Sequence, residues 1–510
     1  MNAVAAPRVI RLSSPSGRWI VLACVLGSGV AGIDATVVNI ALPDIGRDLH
    51  VGFGSLQWTV TSYTLTLASF ILLGGALGDR FGRRRMFVAG VAWFAVASVL
   101  CGLAPNIGWL IAARALQGLG GALLTPASLA IIQASFADTD RARAIGAWSG
   151  LSGTTSAIAP FLGGWLIQAG SWRWVFFINP PLAALVIAIA LRHMPETRDA
   201  AASGRVDALG SLVGVLGLGG VTAGIIAASN HPFASTSVVL PLVVGIVALG
   251  AFVIVENRES HPMLPLSLFR SRQFSAANAV TLLLYAANGG ALLLLVVDLQ
   301  TVSGFGPLEA GTALLPITVV MLLLAARFGA LAERIGPRLP MSVGPLVAAL
   351  GLVLLTRLSS HSSYLVDVLP AVTVLGFGFA IFVAPLTSTV LGAAPASRAG
   401  IASGVNNAVA RAAGLLAVAA LPVIVGLAGD AYSDPGRFLT SFRHAIWICV
   451  GLQLAGALLS ALAIRDERHD AAPDKTRVIP AASISLAGDP ALCGHDLRTG
   501  LQAIPDASVS

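Results

Sequence analysis

Charge is what this chain lacks most. Only 11% of its 510 residues are Asp, Glu, Lys or Arg, less than half the roughly 25% of an ordinary soluble domain. Too few charges remain to cover a water-facing surface, so the outer surface is expected to face lipid. Lysine is nearly absent: Lys475 is the only one, and every other basic residue is Arg. That lysine follows Asp474, whereas a phosphate-binding loop requires G-x-x-x-x-G-K-(S/T). An ATP-driven pump is excluded on that ground. Cysteine is scarce as well. Cys24, Cys101, Cys449 and Cys493 stand far apart, giving neither a disulfide framework nor a metal-ligand pair. No HExxH, no G-x-S-x-G and no histidine cluster supplies an enzyme's machinery. Arginines scattered through so apolar a chain read as orientation signals rather than a nucleic-acid surface.

Apolar residues fill the space that charge leaves: 56% of the chain, with 55 Gly and 27 Pro, both better tolerated in membrane helices than in soluble ones. A helix rising about 1.5 Å per residue needs roughly 20 apolar residues to cross a ~30 Å hydrocarbon core. That length selects spans at 19–42, 56–77, 86–104, 107–132, 143–169, 174–192, 208–228, 236–255, 274–300, 308–328, 339–358, 364–390, 399–428 and 442–464. The class is all-α integral membrane, with fourteen transmembrane helices. Arg8, Arg11 and Arg18 precede the first run, which lacks a cleavage site at signal-peptide distance and reads as a helix that stays in place.

Charge asymmetry tests the count. With the N-terminus in the cytoplasm, 23 basic residues fall on cytoplasmic segments and four (Arg47, Arg173, Arg437, Arg443) on external ones. A miscounted helix would scramble that alternation, so the positive-inside rule predicts both termini in the cytoplasm of a bacterial inner membrane. The organisation expected is a cytoplasmic N-terminus (1–18), a six-helix bundle (19–192), an inserted two-helix region (193–273), a second six-helix bundle (274–464) and a disordered cytoplasmic tail (465–510).

A short pattern occurs twice. Gly75-Ala76-Leu77-Gly78-Asp79-Arg80-Phe81-Gly82-Arg83-Arg84 follows the second span, and Gly329-Ala330-Leu331-Ala332-Glu333-Arg334-Ile335-Gly336-Pro337-Arg338 follows the tenth. Both read G-A-L-x-(D/E)-R-x-G-x-R on loops expected in the cytoplasm. If spans 1–6 and 9–14 are equivalent halves, spans 7 and 8 are an inserted pair, and halves packed around a midplane cavity are usual for secondary transporters. The glycines permit a tight turn, and the acid is placed either near a helix N-terminus or to pair with an arginine across the halves. Gly75, Asp79, Arg80, Gly82, Arg83, Arg84, Glu333, Arg334 and Arg338 are therefore candidates for a conformational gate; the plainer reading is a basic loop that only sets topology.

These residues carry a resemblance. The chain resembles the major facilitator superfamily, in its fourteen-helix drug:proton antiporter branch, from about residue 19 to 464. Asp34 through Pro43 is similar to the branch's first-helix motif, Arg114-Ala115-Leu116-Gln117-Gly118 to its fourth-helix motif, and Trp172-Arg173-Trp174 through Asn179-Pro180 to its entry into helix 6. Gly400 through Gly404 with Asn406, Asn407 and Arg411 is similar to its helix 13. In the helix-5 antiporter motif Gly146, Pro160, Gly163 and Gly164 fit, whereas Thr155 and Ala159 replace glycines. Asp298 stands where the family more often has an aromatic residue. The resemblance implies a major facilitator fold, no cofactor, and export of amphipathic small molecules driven by the proton gradient. Its partners would be the bilayer, those substrates and protons, with a periplasmic or lipoprotein partner as an option and a monomer as the expected state. A dedicated exporter of an endogenous lipid or secondary metabolite is the alternative, and a non-transporting sensor on the same scaffold stands behind it.

Intramembrane charge points to sites independently of family, because an unpaired charge at the bilayer centre costs several kcal/mol, about +2.5–3.5 even on the lenient insertion scale. Asp34 lies roughly 22 Å from the cytoplasmic side, and Arg114 roughly 10 Å from the outside, along their helices. In a ~30 Å core those depths nearly coincide, so the two are predicted to meet and to act as a proton switch. Asp298 is expected near the external mouth, where water tolerates an ionised carboxylate, and is a second candidate for proton exchange. Asn39, Trp58, Tyr63, Gln117, Tyr285, Asn288, Asn406, Asn407 and Arg411 are candidates for the cavity wall, against the plainer reading of packing residues and interface anchors.

Overall fold

The computed structural model describes residues 10–198, 208–229, 231–259, 262, 264–394, 399–427 and 434–466. The expected tail beyond 466 and part of the linker expected at 193–273 lie outside the described residues. Fourteen helical spans follow one another: α1 (Pro15–Leu49), α2 (Phe53–Phe81), α3 (Arg83–Gly102), α4 (Ile107–Ser135), α5 (Asp138–Ala169), α6 (Trp174–His193) and α7 (Ala208–Ala227). Then come α8 (Thr236–Arg258), α9 (Arg272–Thr301), α10 (Pro307–Ile335), α11 (Arg338–Leu355), α12 (Tyr364–Gly392), α13 (Ala399–Ile424) and α14 (Pro435–Ala463). Among the described residues twelve helices are long and apolar enough to cross a membrane, and α2 is a thirteenth if its parts Phe53–Ile71 and Leu73–Phe81 are joined across a 50° bend. The 32-residue α5 occupies the remaining predicted span.

Local chemistry sets where the helices begin and end. Ser14 accepts from the Gly17 N–H ahead of α1, Asn106 from Trp109 ahead of α4, and Ser271 from Phe274 ahead of α9, each side-chain oxygen satisfying a helix donor that has no partner within the helix. Asp434 does the same for α14, with Pro435 in the first helical position. Gly82 (φ +112°) and Gly336 (φ +91°) each turn the chain into the next helix, a backbone region in which a Cβ is strained.

The packing repeats. In the first half α2 packs on α4, α3 on α4, α1 on α5 and α6, and α3 on α6. In the second half α10 packs on α12, α11 on α12, α9 on α13 and α14, and α11 on α14, the same list in the same order. Each half has its own apolar core, around Phe87 and Phe94 in the first and around Phe274, Phe382 and Phe442 in the second. Between them lie α7 and α8, which pack on each other; α7 also touches α2 and α13, one helix from each half. A Cβ on Gly220 of α7 would come within 2.8 Å of the Gly245 Cα on α8, so these two helices approach at backbone distance. The fold is thus two six-helix halves plus an inserted pair.

Helix alternation gives the bundle two faces. The terminal face carries the start of α1 and the end of α14; the distal face carries the α1–α2 and α9–α10 turns. The halves meet through α5 with α10, α2 with α13, and α1 with α9. A third apolar cluster joins them, with Ile40 of α1, Val296 of α9 and Val418 of α13 packed together.

Candidate functional site

Asp34 and Arg114 do meet, fully enclosed. Their side chains are 0% and 1% exposed and form an ion pair between α1 and α4. Neutral donors complete the shell. Gln117 donates to Asp34 Oδ1 at 2.8 Å and accepts from Arg114 at 2.6 Å. Asn179, at the start of the main part of α6, donates to the same Oδ1 at 3.3 Å, and both amides donate to Ser98 Oγ at 2.7 Å. Arg114 Nε donates to the Thr59 carbonyl at 3.1 Å, and the guanidinium lies 4.4 Å from the Tyr63 ring centroid and 5.8 Å from that of Phe176. Five helices therefore converge on one carboxylate. The arrangement keeps a charged pair dry without leaving it short of hydrogen bonds, the condition under which buried ion pairs are tolerated.

Next to this cluster, between the halves, lies a cavity of about 170 Å³. Asn39 of α1, Thr61 and Thr64 of α2, Gly289 of α9 and Arg411 of α13 are among its walls. Arg411 Nε and Asn39 Oδ1 are both buried without a hydrogen-bond partner. Tyr63 stands between the two arginines in effect: Arg114 covers its ring, and Arg411 is among the charges acting on its hydroxyl. A larger hollow of about 510 Å³ opens at the distal surface between Pro43, Gln300 and Pro435, away from the buried charges.

The distal side is held by hydrogen bonds and by close backbone approach. Gln57 of α2 donates to the Val418 and Ala419 carbonyls of α13 at 2.7 and 3.3 Å, and Gln300 of α9 donates to Ile40 of α1 at 3.0 Å. On α5, a Cβ at Gly163 would lie 2.8 Å from Val37 Cγ2 of its own half, while one at Gly164 would lie 2.5 Å from Leu308 Cα of the other. Pro160 presents its carbonyl to Gly311 of α10. Gly146 also lies on α5, where its packing is outside the described residues.

The repeated loop motif shows the same construction in both halves. Past the end of α6, Glu196 accepts from the Arg84 N–H at 3.2 Å; past the end of α14, Asp466 accepts from the Arg338 N–H at 3.0 Å. Each acid caps the helix that follows the motif and lies against the positive-φ glycine, so a Cβ at Gly82 would strike Glu196. Of the two placements expected for the motif acid, the first copy does not show the cross-half pair. Asp79 pairs at 2.7 Å with Arg83 of its own half, four residues on across the Gly82 turn. In the second copy Pro337 replaces that arginine, and among the described residues Glu333 has no ion pair. Arg80, Glu333, Arg334 and Arg338 are exposed, and Gly75 lies on α2 near Pro126 of α4.

The Major Facilitator Superfamily sequence profile matches residues 24–418, more than three-quarters of the chain. The chain belongs to that superfamily. It is 37% identical over 384 residues to the multidrug resistance protein Stp of Mycobacterium tuberculosis, covering 75% of this chain and 71% of that one. It is 35% identical to the puromycin resistance protein pur8 of Streptomyces alboniger, covering 90% of this chain and 93% of that one. Among solved structures, a peptide transporter of the POT type in complex with sulfate superposes with a TM-score of 0.64 at 15% identity, over 89% of this chain and 96% of that one; this likeness concerns the fold. A major facilitator is a transporter, not an enzyme.

Within that facilitator frame the other predicted residues fall into three groups. Asn39 and Arg411 line the cavity. Gln117, expected on the cavity wall, belongs instead to the Asp34 shell, where its amide is consumed; Tyr63 lends that shell its ring under Arg114, while its hydroxyl donates to the Ala31 carbonyl at 3.4 Å. Asn288 accepts from Gln453 at 2.7 Å, and Asn406 donates to Asn278 and Thr281 at 3.2 and 2.7 Å, so both are used in stitching α9 to α14 and α13. Tyr285 faces Arg411, Trp58 is half-buried on α2, and Asn407 is exposed one turn before Arg411. Asp298 corrects a further expectation: it is 0% exposed rather than water-facing, with Oδ1 unpartnered and Oδ2 3.4 Å from Ser303 Oγ. Sequence reasoning assigned no role to Ser98, Asn179, Gln57, Gln300, Glu196 or Asp466. For the last two a signal existed, since each lies three residues beyond the last helix of its half.

Proposed function

We infer that this protein exports amphipathic small molecules, antibiotics among them, in exchange for protons. The observation that carries the reading is the Asp34–Arg114 pair, a titratable carboxylate enclosed at membrane depth beside the cavity between the two halves. The related proteins named for multidrug and puromycin resistance support export of drug-like cargo. The terminal face is cytoplasmic in this reading, as the excess of arginine there requires. Halves packed together at the distal side then correspond to an inward-facing state. Deprotonated Asp34 holds Arg114; a proton arriving on Asp34 cancels its charge, frees the guanidinium and lets α1 and α4 shift against each other. Coupling follows because each arrangement of the halves favours one charge state of the same carboxylate.

The test is efflux of a fluorescent dye and a lipophilic antibiotic from cells stripped of their own pumps, with and without an uncoupler. Wild-type protein gives efflux that the uncoupler stops, and Asp34→Asn, expressed at the same level in the membrane, gives none. Efflux by Asp34→Asn equal to wild type would remove Asp34 from the coupling step.

A further inference from the structure

We propose that Arg411 makes the central cavity an anion-selecting site, so that the favoured cargo is an apolar body carrying a carboxylate or comparable anionic group. The inference deepens the export reading and rests on it for the word cargo, though not for the binding chemistry.

Arg411 lies twelve residues into α13, about 18 Å along the helix and so near the middle of the membrane. It lines the cavity, and its Nε is buried with no acceptor. Among the described residues no carboxylate is paired with it. Asp34 is committed to Arg114, Gln117 and Asn179, and the charged group acting on Asp298 is Arg443. The titratable groups close enough to act on Arg411 are the phenols of Tyr63 and Tyr285. Apart from Asn39, whose Oδ1 is also unpartnered, the walls are apolar or satisfied: Ala35, Leu293 and Val418 offer no polar side chain, and the Thr61 and Thr64 hydroxyls donate to their own helix at 2.8 and 3.2 Å. A guanidinium this deep, with no fixed counter-charge, is costly until something brings one. A carboxylate matches its paired N–H donors, and an ammonium would be repelled. The cavity of about 170 Å³ is smaller than the roughly 300–1,000 Å³ of a site that holds a whole drug-sized molecule. It therefore receives the charged end, while the apolar remainder extends beyond it.

Binding to purified full-length protein in detergent tests this without transport. Three probes share one fluorophore: dansyl-leucine (anionic), its methyl ester (neutral) and dansyl-cadaverine (cationic). Wild type is expected to bind them in that order. Arg411→Gln is expected to weaken the carboxylate about tenfold or more, leave the ester unchanged and improve the amine. Arg411→Lys keeps part of the preference, because it keeps the charge without the fork. Asn39→Asp, which places a fixed carboxylate in the same cavity, lowers affinity for the anion with Arg411 intact. Equal affinity of wild type for all three probes, no binding of the carboxylate, or a uniform loss across probes in Arg411→Gln overturns the proposal. Because wild type alone supplies the first comparison, a poorly folded variant does not blunt the test. Anion preference without cellular efflux sinks the export reading and leaves the site; efflux without anion preference does the reverse.

Discussion

Asp34 and Arg114 are each other's charge partner in a fully buried site. Removing one partner of a buried pair costs about 3–5 kcal/mol, because the survivor stays charged and enclosed. Arg114→Leu and Asp34→Asn are each expected to lose stability in detergent by about 3–5 kcal/mol, read as a fall in melting temperature. The double variant Asp34→Asn/Arg114→Leu should recover a large part of the loss while remaining inactive in efflux, since it buries no charge and carries no proton. A double variant that falls by the sum of the two singles would show that the pair is not coupled. The meeting of Asp34 and Arg114 was legible from sequence, because charge in a membrane is rare and helical rise converts residue number to depth. The amides were not. Gln117 and Asn179 carry no comparable cost in lipid, and whether Gln117 faced the carboxylate or the cavity depended on a rotation of α4 that depth arithmetic does not give. Arg411 was recognised as a charge with two possible environments, and only the cavity decides between them.

Among the elements, α5 closes on both halves through adjacent glycines. Gly163 lets it close on Val37 and Gly164 on Leu308. A side chain at Gly164 meets the Leu308 backbone, which has no rotamer with which to yield, so Gly164→Val is expected to loosen the distal closure. The check is labelling of Asn39→Cys by an impermeant thiol reagent applied from the distal side. Native Cys24, Cys101 and Cys449 are buried, and Cys493 is replaced by Ser in the background. Gly164→Val should speed labelling roughly tenfold, the effect of about 1.4 kcal/mol on the balance of states. Unchanged labelling would assign Gly164 to packing alone. The loop motif was readable as a repeat and its glycines as turns. The partner of its acid was not, because the Gly82 turn brings Arg83 back onto Asp79 and a near arginine is reached before a distant one.

At the scale of the molecule, the two halves pair their helices identically and are joined at the distal side by Gln57 and Gln300. A hydrogen bond to a backbone carbonyl contributes about 1 kcal/mol, so Gln57→Ala/Gln300→Ala is expected to shift the conformational balance by about 2 kcal/mol, close to thirtyfold. Spin labels at Leu103 and Leu365, exposed distal positions in different halves, report it: pulsed dipolar spectroscopy should show a longer-distance population in the double variant. A distribution identical to wild type would deny the glutamines that role. The fourteen spans and two halves were legible because apolar length and arginine alternation are one-dimensional signals. The side on which the halves meet was not, since one sequence encodes both arrangements of the halves.

The acids behind the last helix of each half bear on how the chain is made. The Arg84 N–H waits for Glu196 across 112 residues, and Arg338 for Asp466 across 128. At about 5–20 residues per second, a ribosome needs roughly 6 to 22 seconds to supply the first of these acids. Until then the start of α3 has an open cap, and only a half whose sixth helix has been inserted in the correct direction brings the acid back to it. The same few atoms therefore register, once per half, that membrane insertion has been completed in order.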